Sequence, residues 1–422
     1  MHVVVVEGRV SEGEHDGAAP QPAASGLRVL FDRNFWPYFT GNLVSNCGTW
    51  FQNLAQAILI FRLTHSTFAV GVVNFAQFVG TFVLVPWSGA AADRFDRRRL
   101  MVVMQVFSTA VTGVLALLTA TGHTTAPVVV GLALLLGIAT AFSVPAMQAL
   151  VPLLVPVHEL AGAIALNSVT FNLARAIGPV LGAFVIDRLS IAWAFGLNSL
   201  SYLVLVIALF VVHPRPQAAR PAERPKLRES LRLVRDDAYL LALLMAVLAL
   251  SLTADPVNTL TPGFVTQIFH RKDTLVGILV GAFGAGSVLA VFLAARIPDD
   301  VIRRLSRTLA VLGVGMLGFA VAPSMPFALI ALVVGGFGFL ASNTTATTAL
   351  QLGVDDSQRG RLMALWSVAF LGVRPFGSLV DGAVATGAGL RPAAVLMAVP
   401  ALAAGLVFVI RPIRRPDRAA RA

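Results

Sequence analysis

Four ionisable side chains interrupt segments of the sequence that are otherwise apolar. They are Asp255, which directly precedes Pro256, together with Arg175, Arg374 and Asp381. An ionisable group inside a hydrocarbon layer is expensive, so it is retained where it pairs with another charge or serves an ion or proton. A proline removes a helical hydrogen bond, and a carboxyl group beside it can then meet water, a cation or a proton. These residues predict proton coupling; a structural ion pair or a snorkelling side chain is the alternative for each.

The spacing of two of these residues restricts how they can pair. Arg374 and Asp381 are seven positions apart, so they lie on one helix face about two turns from each other. At that separation they do not reach one another directly. Each is expected to pair across helices, Asp381 near the outer surface and Arg374 deeper.

The composition shows what must hold these residues. Of the 422 residues, 57% are hydrophobic and 13% are charged, and the mean hydropathy is +0.80. These values predict an all-α integral membrane protein and exclude a soluble catalytic module. A membrane span needs about 20 apolar residues, so the length suits about twelve spans. One cysteine, Cys47, excludes an intramolecular disulfide and a cysteine-based metal site.

Twelve transmembrane helices are predicted, in two halves of six, with ends placed to within about four residues. The predicted spans are residues 36–62, 68–91, 100–121, 126–149, 162–186, 191–212, 238–267, 274–295, 307–323, 327–350, 360–385 and 391–411.

The distribution of positive charge predicts the orientation. With these spans, 25 of the 32 arginines and lysines fall on one side of the membrane. The positive-inside rule then places both termini in the cytoplasm, and an even number of spans agrees. The predicted regions are a disordered N-terminal extension (1–34), a first half (35–212), a cytoplasmic linker (213–237), a second half (238–411) and a basic tail (412–422). Such paired halves are typical of transporters with a substrate site between them near mid-membrane.

Polar stripes along several spans predict the helices that line a substrate cavity. The strongest stripes lie in the first, seventh and tenth spans, and the fifth span adds Asn172. The predicted cavity residues are Asn42, Asn46, Thr49, Gln52, Asn53, Asn172, Asn258, Asn343, Thr347 and Gln351. The alternative is that these side chains bridge tightly packed helices, which is common in membranes.

Two motifs stand out, one by its charge and one by its effect on a helix. The loop Gly89–Met101 combines Asp93 and Arg94 with three consecutive arginines between two apolar runs. The fifth span contains the helix-bending motif Gly178, Pro179 and Gly182, in which the glycines allow close helix contact and the proline bends the helix.

Together these motifs resemble the major facilitator superfamily. The runs Ser45–Gln52, Leu63–Ser66, Pro145–Gln148 and Phe171–Arg175 are similar to its exporter branch, which contains enterobactin exporters and macrolide efflux proteins. The resemblance covers nearly the whole chain after residue 27 and implies that helices 1, 4, 7 and 10 line the cavity. It also implies a cytoplasmic gate in which the loop contacts the start of helix 11. The residues carried over to that gate are Gly89, Asp93, Arg94, Arg97, Arg98, Arg359 and Arg361. Asp96 and Ala91 depart from the general superfamily pattern, and no arginine occupies the fourth span as in many drug–proton antiporters.

The resulting hypothesis is a monomeric secondary transporter of the inner (plasma) membrane. It exports a small amphipathic drug, antibiotic or siderophore by alternating access, with protons driving antiport. No cofactor, metal or nucleic acid is expected. Enzyme activity is not expected because the sequence has no catalytic constellation, and ATP drive is not expected because it has no phosphate-binding loop. Uptake or lipid flipping by the same fold is an alternative, and a non-transporting membrane scaffold or sensor is an alternative of another class.

Overall fold

The computed structural model describes residues 29–156, 159–215, 232, 234–293, 300–354 and 356–410, and what it describes is almost entirely helical. The helices of the first part of the chain are α1 (Phe35–Thr64), α2 (Thr67–Val83), α3 (Val85–Arg94), α4 (Arg97–Ala120), α5 (Ala126–Leu154), α6 (Leu160–Arg188) and α7 (Ile191–Val211). Those of the second part are α8 (Ala238–Ala254), α9 (Pro256–Thr259), α10 (Thr261–Gly263), α11 (Val276–Leu293), α12 (Val301–Val321), α13 (Met325–Leu352), α14 (Asp356–Ser367), α15 (Arg374–Gly387) and α16 (Leu390–Ile410).

Ten helical segments within the described residues are long and apolar enough to cross a membrane. Helix α1 has the length of a span but carries the polar stripe noted above, and α2 is a shorter apolar helix of 17 residues. The protein is therefore an all-helical, multi-pass membrane protein, as the sequence predicts. The count of twelve stays a prediction that depends on α1 and α2.

The helices pack in two groups. Within the first group α1 packs on α6 and α7, α2 packs on α5, and α4 packs on α5 and α7. Within the second group α13 packs on α11 and α12, and α12 packs on α16. The groups meet where α2 packs on α15 and where α6 packs on α11. The predicted region boundaries at 1–34 and 412–422 fall largely outside the described residues.

Small residues allow the close contact between α6 and α11. A Cβ added at Gly277 would clash with the carbonyl oxygen of Pro179, so only glycine permits the two backbones to approach this closely. Near one end of the bundle, Nη2 of Arg62 donates to Oδ1 of Asp273 at 2.8 Å, which ties the end of α1 to the segment before α11. This is the end opposite the arginine-rich loops.

Two chain segments are broken at the positions of the buried charges. Helix α8 ends at Ala254, so Asp255 lies at the junction with α9, which begins at Pro256. A π-helical segment, Val368–Gly372, separates α14 from α15, and Arg374 is the first residue of α15. Proline, here Pro256 and Pro375, and π-helical turns both disturb the regular backbone ladder, and π-turns are frequent at functional sites.

Candidate functional site

The centre of the candidate site is the carboxyl group of Asp255, which is buried with 6% of the residue exposed. Its Oδ2 atom accepts a hydrogen bond from Oγ of Ser378 at 2.6 Å. A weaker bond comes from Oγ1 of Thr259 at 3.4 Å. The carboxyl group is thus held by one donor from its own segment and one from α15.

Arg374 lies close enough to Asp255 for the two charges to attract. Its Nε atom donates to Oγ of Ser251 at 3.4 Å, and its guanidinium carbon lies 4.7 Å from the ring centroid of Phe370. Like Asp255, Arg374 is buried. Cation–π contact and a neighbouring carboxyl group both compensate a buried guanidinium.

Asp381 is completely buried and lies beside Asp255, so the two carboxyl groups interact. Among the described residues, no side chain or backbone N–H donates a hydrogen bond to either oxygen of Asp381. Arg374, Ser378 and Asp381 follow one another at helical spacing, which places all three on the face of α15 that meets Asp255. Asp255 therefore stands between two residues that are too far apart on their own helix to pair.

Arg175 is the fourth buried charge, and aromatic rings surround it. Its guanidinium carbon lies 4.4 Å from the ring centroid of Phe339, 5.2 Å from that of Phe283 and 5.5 Å from that of Trp50. We call these three rings the aromatic cage. No acidic side chain pairs with Arg175 in the part of the chain that the structure describes; the nearby charge that acts on it is that of Arg374.

The arrangement around Arg175 leaves the N–H donors of its guanidinium group available. A guanidinium has five N–H donors, and none of them is engaged in a hydrogen bond to a described residue. Trp50 comes from α1, while Phe283 and Phe339 come from α11 and α13, so Arg175 on α6 contacts both groups of helices. A buried cation with open donors is a suitable partner for an anionic group.

An internal cavity lies beside this cluster. Its volume is about 30 Å³, room for one or two water molecules. The predicted site residues at its wall are Asn53, Pro179, Asp255, Asn258 and Arg374. Trp50, Asn74 and Phe78 also line it and were not among the predicted site residues.

Other predicted cavity residues of α1 bond to neighbouring helices. Oε1 of Gln52 accepts from Thr112 at 3.1 Å and also from Asn198. The hydroxyl groups of Thr49 and Tyr202 lie 3.2 Å apart. These contacts match the alternative interpretation, in which polar side chains bridge packed helices.

Asn42 and Asn46 continue this pattern at the next turns of α1. Nδ2 of Asn42 donates to Oδ1 of Asn167 at 3.0 Å, and Nδ2 of Asn46 donates to the side chain and carbonyl of Asn42. The side chain of Asn172 lies outside the described set.

Two predicted cavity residues of α13 differ from those of α1. Oδ1 of Asn343 and Oγ1 of Thr347 are buried and have no hydrogen-bond partner among the described residues. The same is true of Nε1 of Trp366, whose ring stacks on Phe370 at 4.9 Å between centroids. A buried polar atom without a partner calls for a water or a ligand. Gln351, at the end of α13, is exposed.

The predicted gate is described only in part. Nη1 of Arg97 donates to the carbonyl of Ala149 at 3.0 Å, and Nη2 of Arg98 donates to the carbonyl of Phe210 at 2.8 Å. Arg94 is exposed and Gly89 is half-buried. The side chains of the remaining predicted gate residues, namely Asp93, Arg359 and Arg361, lie outside the described set, so the predicted contact between the loop and helix 11 stays a prediction.

The helix-bending motif of α6 packs on α1 and α11. A Cβ at Gly178 would lie 2.6 Å from the Cβ of Trp50, and one at Gly182 would lie 3.2 Å from the Cα of Phe51. Pro179 lies inside α6, where its carbonyl faces Gly277. The motif therefore positions Trp50, one wall of the aromatic cage, against α6.

Comparison with known proteins adds the family. The model of the family described as transmembrane secretion effector matches residues 24–422. The chain belongs to this family of major facilitator superfamily transporters. Its members and relatives are transporters and not enzymes.

Two relatives of this chain are named as siderophore transporters. The chain is 22% identical to the staphyloferrin A transporter of Staphylococcus aureus, over 88% of this chain and 94% of that protein. It is 25% identical to the enterobactin exporter EntS of Citrobacter koseri, over 79% of this chain and 80% of that protein.

Solved structures show the same fold. A bacterial homologue of the human lysosomal transporter Spinster, in an inward-facing and unoccupied conformation, matches with a TM-score of 0.71 and 12% identity, over 92% of this chain and 97% of that one. A D-xylose–proton symporter matches with a TM-score of 0.69 and 14% identity, over 92% and 99%. The superfamily fold expected from the loop and helix motifs is thereby confirmed.

Sequence patterns did not reveal every residue of the cluster. Ser378 is a single hydroxyl group in an apolar segment and carries no periodic signal, whereas Ser251 belongs to the polar stripe predicted in the seventh span. Asn74 was detectable in principle, because it is followed three residues later by Gln77 on the same face of α2. Phenylalanines such as Phe339 occur throughout a membrane protein, and only the fold shows which of them surround Arg175.

Proposed function

We propose that this transporter exports a small amphipathic molecule by alternating access in exchange for protons. The observation that carries the proposal is the buried cluster in which Asp255 is hydrogen-bonded to Ser378 and faces both Arg374 and Asp381. The cluster joins the segment after α8 to α15, and both segments are broken at the charged residue.

The charges in this cluster support proton coupling. Two adjacent carboxyl groups in a medium of low dielectric constant repel when both are ionised, so they share negative charge and hold a proton readily. Protonation of Asp255 would weaken its attraction to Arg374 and leave the guanidinium to its contacts with Ser251 and Phe370. Because the helices are irregular there, a change in pairing can be converted into a change in helix position.

The aromatic cage supports a substrate with an acidic group. Arg175 brings a positive charge with open donors to the junction of the two helix groups, and Asn343 and Thr347 add unpaired polar atoms on α13. Siderophores fit these requirements, and the names of two relatives refer to siderophores. Among drugs, antibiotics and siderophores, we therefore favour acidic compounds as the substrate class.

The direction and orientation form part of the proposal. We place the protein in the inner (plasma) membrane with both termini in the cytoplasm, and we propose that it works as a monomer. Residues 35–212 and 238–411 act as the two halves, joined by the linker 213–237, with the substrate between them. The loop that contains Asp93, Arg97 and Arg98 closes the cytoplasmic side during each cycle.

Efflux from intact cells tests the proposal. Cells that express the chain are loaded with a panel of siderophores, acidic antibiotics and neutral lipophilic drugs, with and without a protonophore. We expect lower intracellular levels of acidic compounds, and we expect the protonophore to abolish the difference. No change across the panel, with the protein shown to be in the membrane, would instead favour the scaffold or sensor.

Uptake is the second candidate, because one relative is named only as a transporter. Accumulation in inverted and in right-side-out vesicles separates the two directions. Accumulation in inverted vesicles with an acidic lumen, in which protons leave as substrate enters, supports export. Accumulation only in right-side-out vesicles would overturn the proposed direction.

A further inference from the structure

A large pocket at the arginine-rich end of the bundle is separate from the central cluster. Its volume is about 670 Å³ and it lies where α4, α5 and α7 meet. The pocket is lined by Asp96, Arg97, Arg98, Arg99, Val102, Val103, Leu150, Leu153, Phe210, Pro214 and Arg215. Its ionisable residues give it a formal charge of +3.

Backbone carbonyls anchor the side chains of two of the four pocket arginines. The bonds from Arg97 and Arg98 to the carbonyls of Ala149 and Phe210 anchor the two side chains to α5 and α7. The backbone N–H of Arg215 donates to the carbonyl of Leu153 at 3.0 Å, which holds that residue over the end of α5. Each anchored guanidinium keeps further donors for another partner.

The acidic residue of the pocket does not neutralise them. Oδ1 of Asp96 accepts the backbone N–H of Arg99 at 2.7 Å and so caps the first turn of α4. No ion pair involves the four arginines in the part of the chain that the structure describes. In addition, Nε of Arg97 is buried and has no partner among the described residues. The pocket therefore retains positive charge and open donors.

Apolar side chains continue from the pocket along the outside of the bundle. Val103 is 57% exposed on α4, and Phe210 is 61% exposed on α7. In a protein that spans a membrane, such exposed apolar faces meet the acyl chains of lipids. Cationic donors at the edge and an apolar groove beneath them complement a phosphate headgroup joined to hydrocarbon chains.

We propose that this pocket binds an anionic phospholipid of the adjacent leaflet. Arg98 and Arg215 contact the phosphate, Arg97 and Arg99 add positive potential, and the acyl chains lie along Val103 and Phe210. The anchored guanidinium groups of Arg97 and Arg98 distinguish such a site from the general attraction of a basic surface, which any lysine or arginine would provide. The site is independent of the transported molecule.

Lipid retention by the purified full-length protein tests this site. Protein in mixed micelles with phosphatidylglycerol or phosphatidylcholine is examined by native mass spectrometry for bound lipid. We expect phosphatidylglycerol to be retained preferentially. Arg98→Gln combined with Arg215→Gln should weaken this retention about 30-fold, from the attraction that each basic residue contributes to an anionic headgroup.

Matched controls decide between a site and a diffuse surface effect. Arg188→Gln removes an exposed arginine at the end of α6, on the side of the bundle opposite the pocket. It should leave lipid retention unchanged. Arg98→Lys with Arg215→Lys keeps the charge and should retain binding in part. Equal loss in Arg188→Gln, or no loss in the double glutamine variant, would overturn the proposal.

Competition identifies the ligand. Inorganic phosphate at millimolar concentration should not displace phosphatidylglycerol, because it has no acyl chains to occupy the groove. Full displacement by inorganic phosphate would show a small-anion site and contradict the lipid assignment. The readout is bound lipid, so the result does not depend on whether the export proposal holds.

Discussion

Ser378 donates its hydroxyl hydrogen to Oδ2 of Asp255 across 2.6 Å, and this bond joins α15 to the break between α8 and α9. Neither helix carries a complete charged site. The segment after α8 contributes the carboxyl group of Asp255. Helix α15 contributes the positive charge of Arg374 and the second carboxyl group, that of Asp381. The site therefore exists only while the two segments stay packed, so movement of either segment changes the environment of Asp255.

Replacement of Asp255 by asparagine tests proton coupling. We expect Asp255→Asn to lower export driven by a proton gradient at least about 100-fold, the usual effect of removing a positioned proton-transfer group. Substrate exchange without a gradient should persist, because it needs no net proton movement. The measurement is transport in proteoliposomes with and without an imposed pH gradient.

Asp187→Asn provides the control for that experiment, since Asp187 is an exposed aspartate. It should transport at the rate of the unmodified protein. Full gradient-driven export by Asp255→Asn would assign coupling elsewhere, with Asp381→Asn as the next variant.

Arg175 should decide the preference for acidic substrates. Arg175→Gln removes the charge within the aromatic cage, and the KM for acidic substrates should rise about 10- to 100-fold, as for the loss of a hydrogen bond to a charged group. The KM for neutral compounds should change little. Transport assays with matched acid and ester forms of one compound make this comparison.

Arg175→Lys separates charge from cage geometry, because lysine keeps the charge but not the planar fork of donors. Intermediate values of KM are expected. An equal loss for acids and esters would mean that Arg175 only supports the packing of Trp50 and Phe339.

Trp366→Phe tests whether unpaired polar atoms near α13 contact substrate. The change removes an N–H group that has no described partner and keeps a ring that can stack on Phe370. If substrate accepts a hydrogen bond from this group, KM should rise about 5- to 10-fold, the effect of one neutral hydrogen bond. Unchanged KM with unchanged thermal stability would exclude this group as a substrate contact.

The contact between α6 and α11 should be sensitive to a single methyl group. In Gly277→Ala the new Cβ would clash with the carbonyl of Pro179, and we expect a loss of about 1–3 kcal/mol in the free energy of unfolding. Thermal unfolding in detergent measures it. Gly131→Ala is the matched control, because nothing lies within 4 Å of a Cβ there. A loss as large at Gly131 would refute the packing argument.

The ion pair of Arg62 with Asp273 should bias the conformational equilibrium. Arg62→Asp removes this contact between the two helix groups. Exposed ion pairs are worth up to about 1 kcal/mol, so the equilibrium between the conformations of the alternating-access cycle should shift up to about fivefold. Distances between spin labels at this end of the bundle report the shift. The reversed pair, Arg62→Asp with Asp273→Arg, should restore the original distribution, and 1 M salt should reduce the difference between variants.

The course of the helices was predictable because it depends on local properties. Apolar length and turn residues define spans such as 191–212, which the structure shows as Ile191–Val211. The break at Pro256 was also predictable, since proline removes a backbone donor wherever it stands. The partner of Asp255 was not, because no pattern within one helix states which face of another helix it meets.

The polar stripe of α1 shows a second limit of sequence interpretation. The same spacing of polar residues occurs on a helix that faces a water-filled cavity and on one that packs against a neighbouring helix. Gln52 is of the second kind, because it accepts hydrogen bonds from Thr112 and Asn198. Asn53, one position along, lines the cavity, and its Oδ1 also accepts from Nε2 of Gln77 on α2 at 2.9 Å. A stripe indicates which face is buried, and the packing of the other helices determines what it is buried against.

The size of the cavity beside Asp255 has a consequence for the cell. A chain of hydrogen-bonded water across a hydrocarbon layer about 30 Å thick would require about ten molecules, whereas this cavity holds one or two. Water in this cavity alone therefore forms no continuous proton path past Asp255. Idle copies in this conformation would then add no proton leak through this cavity to the membrane that holds them.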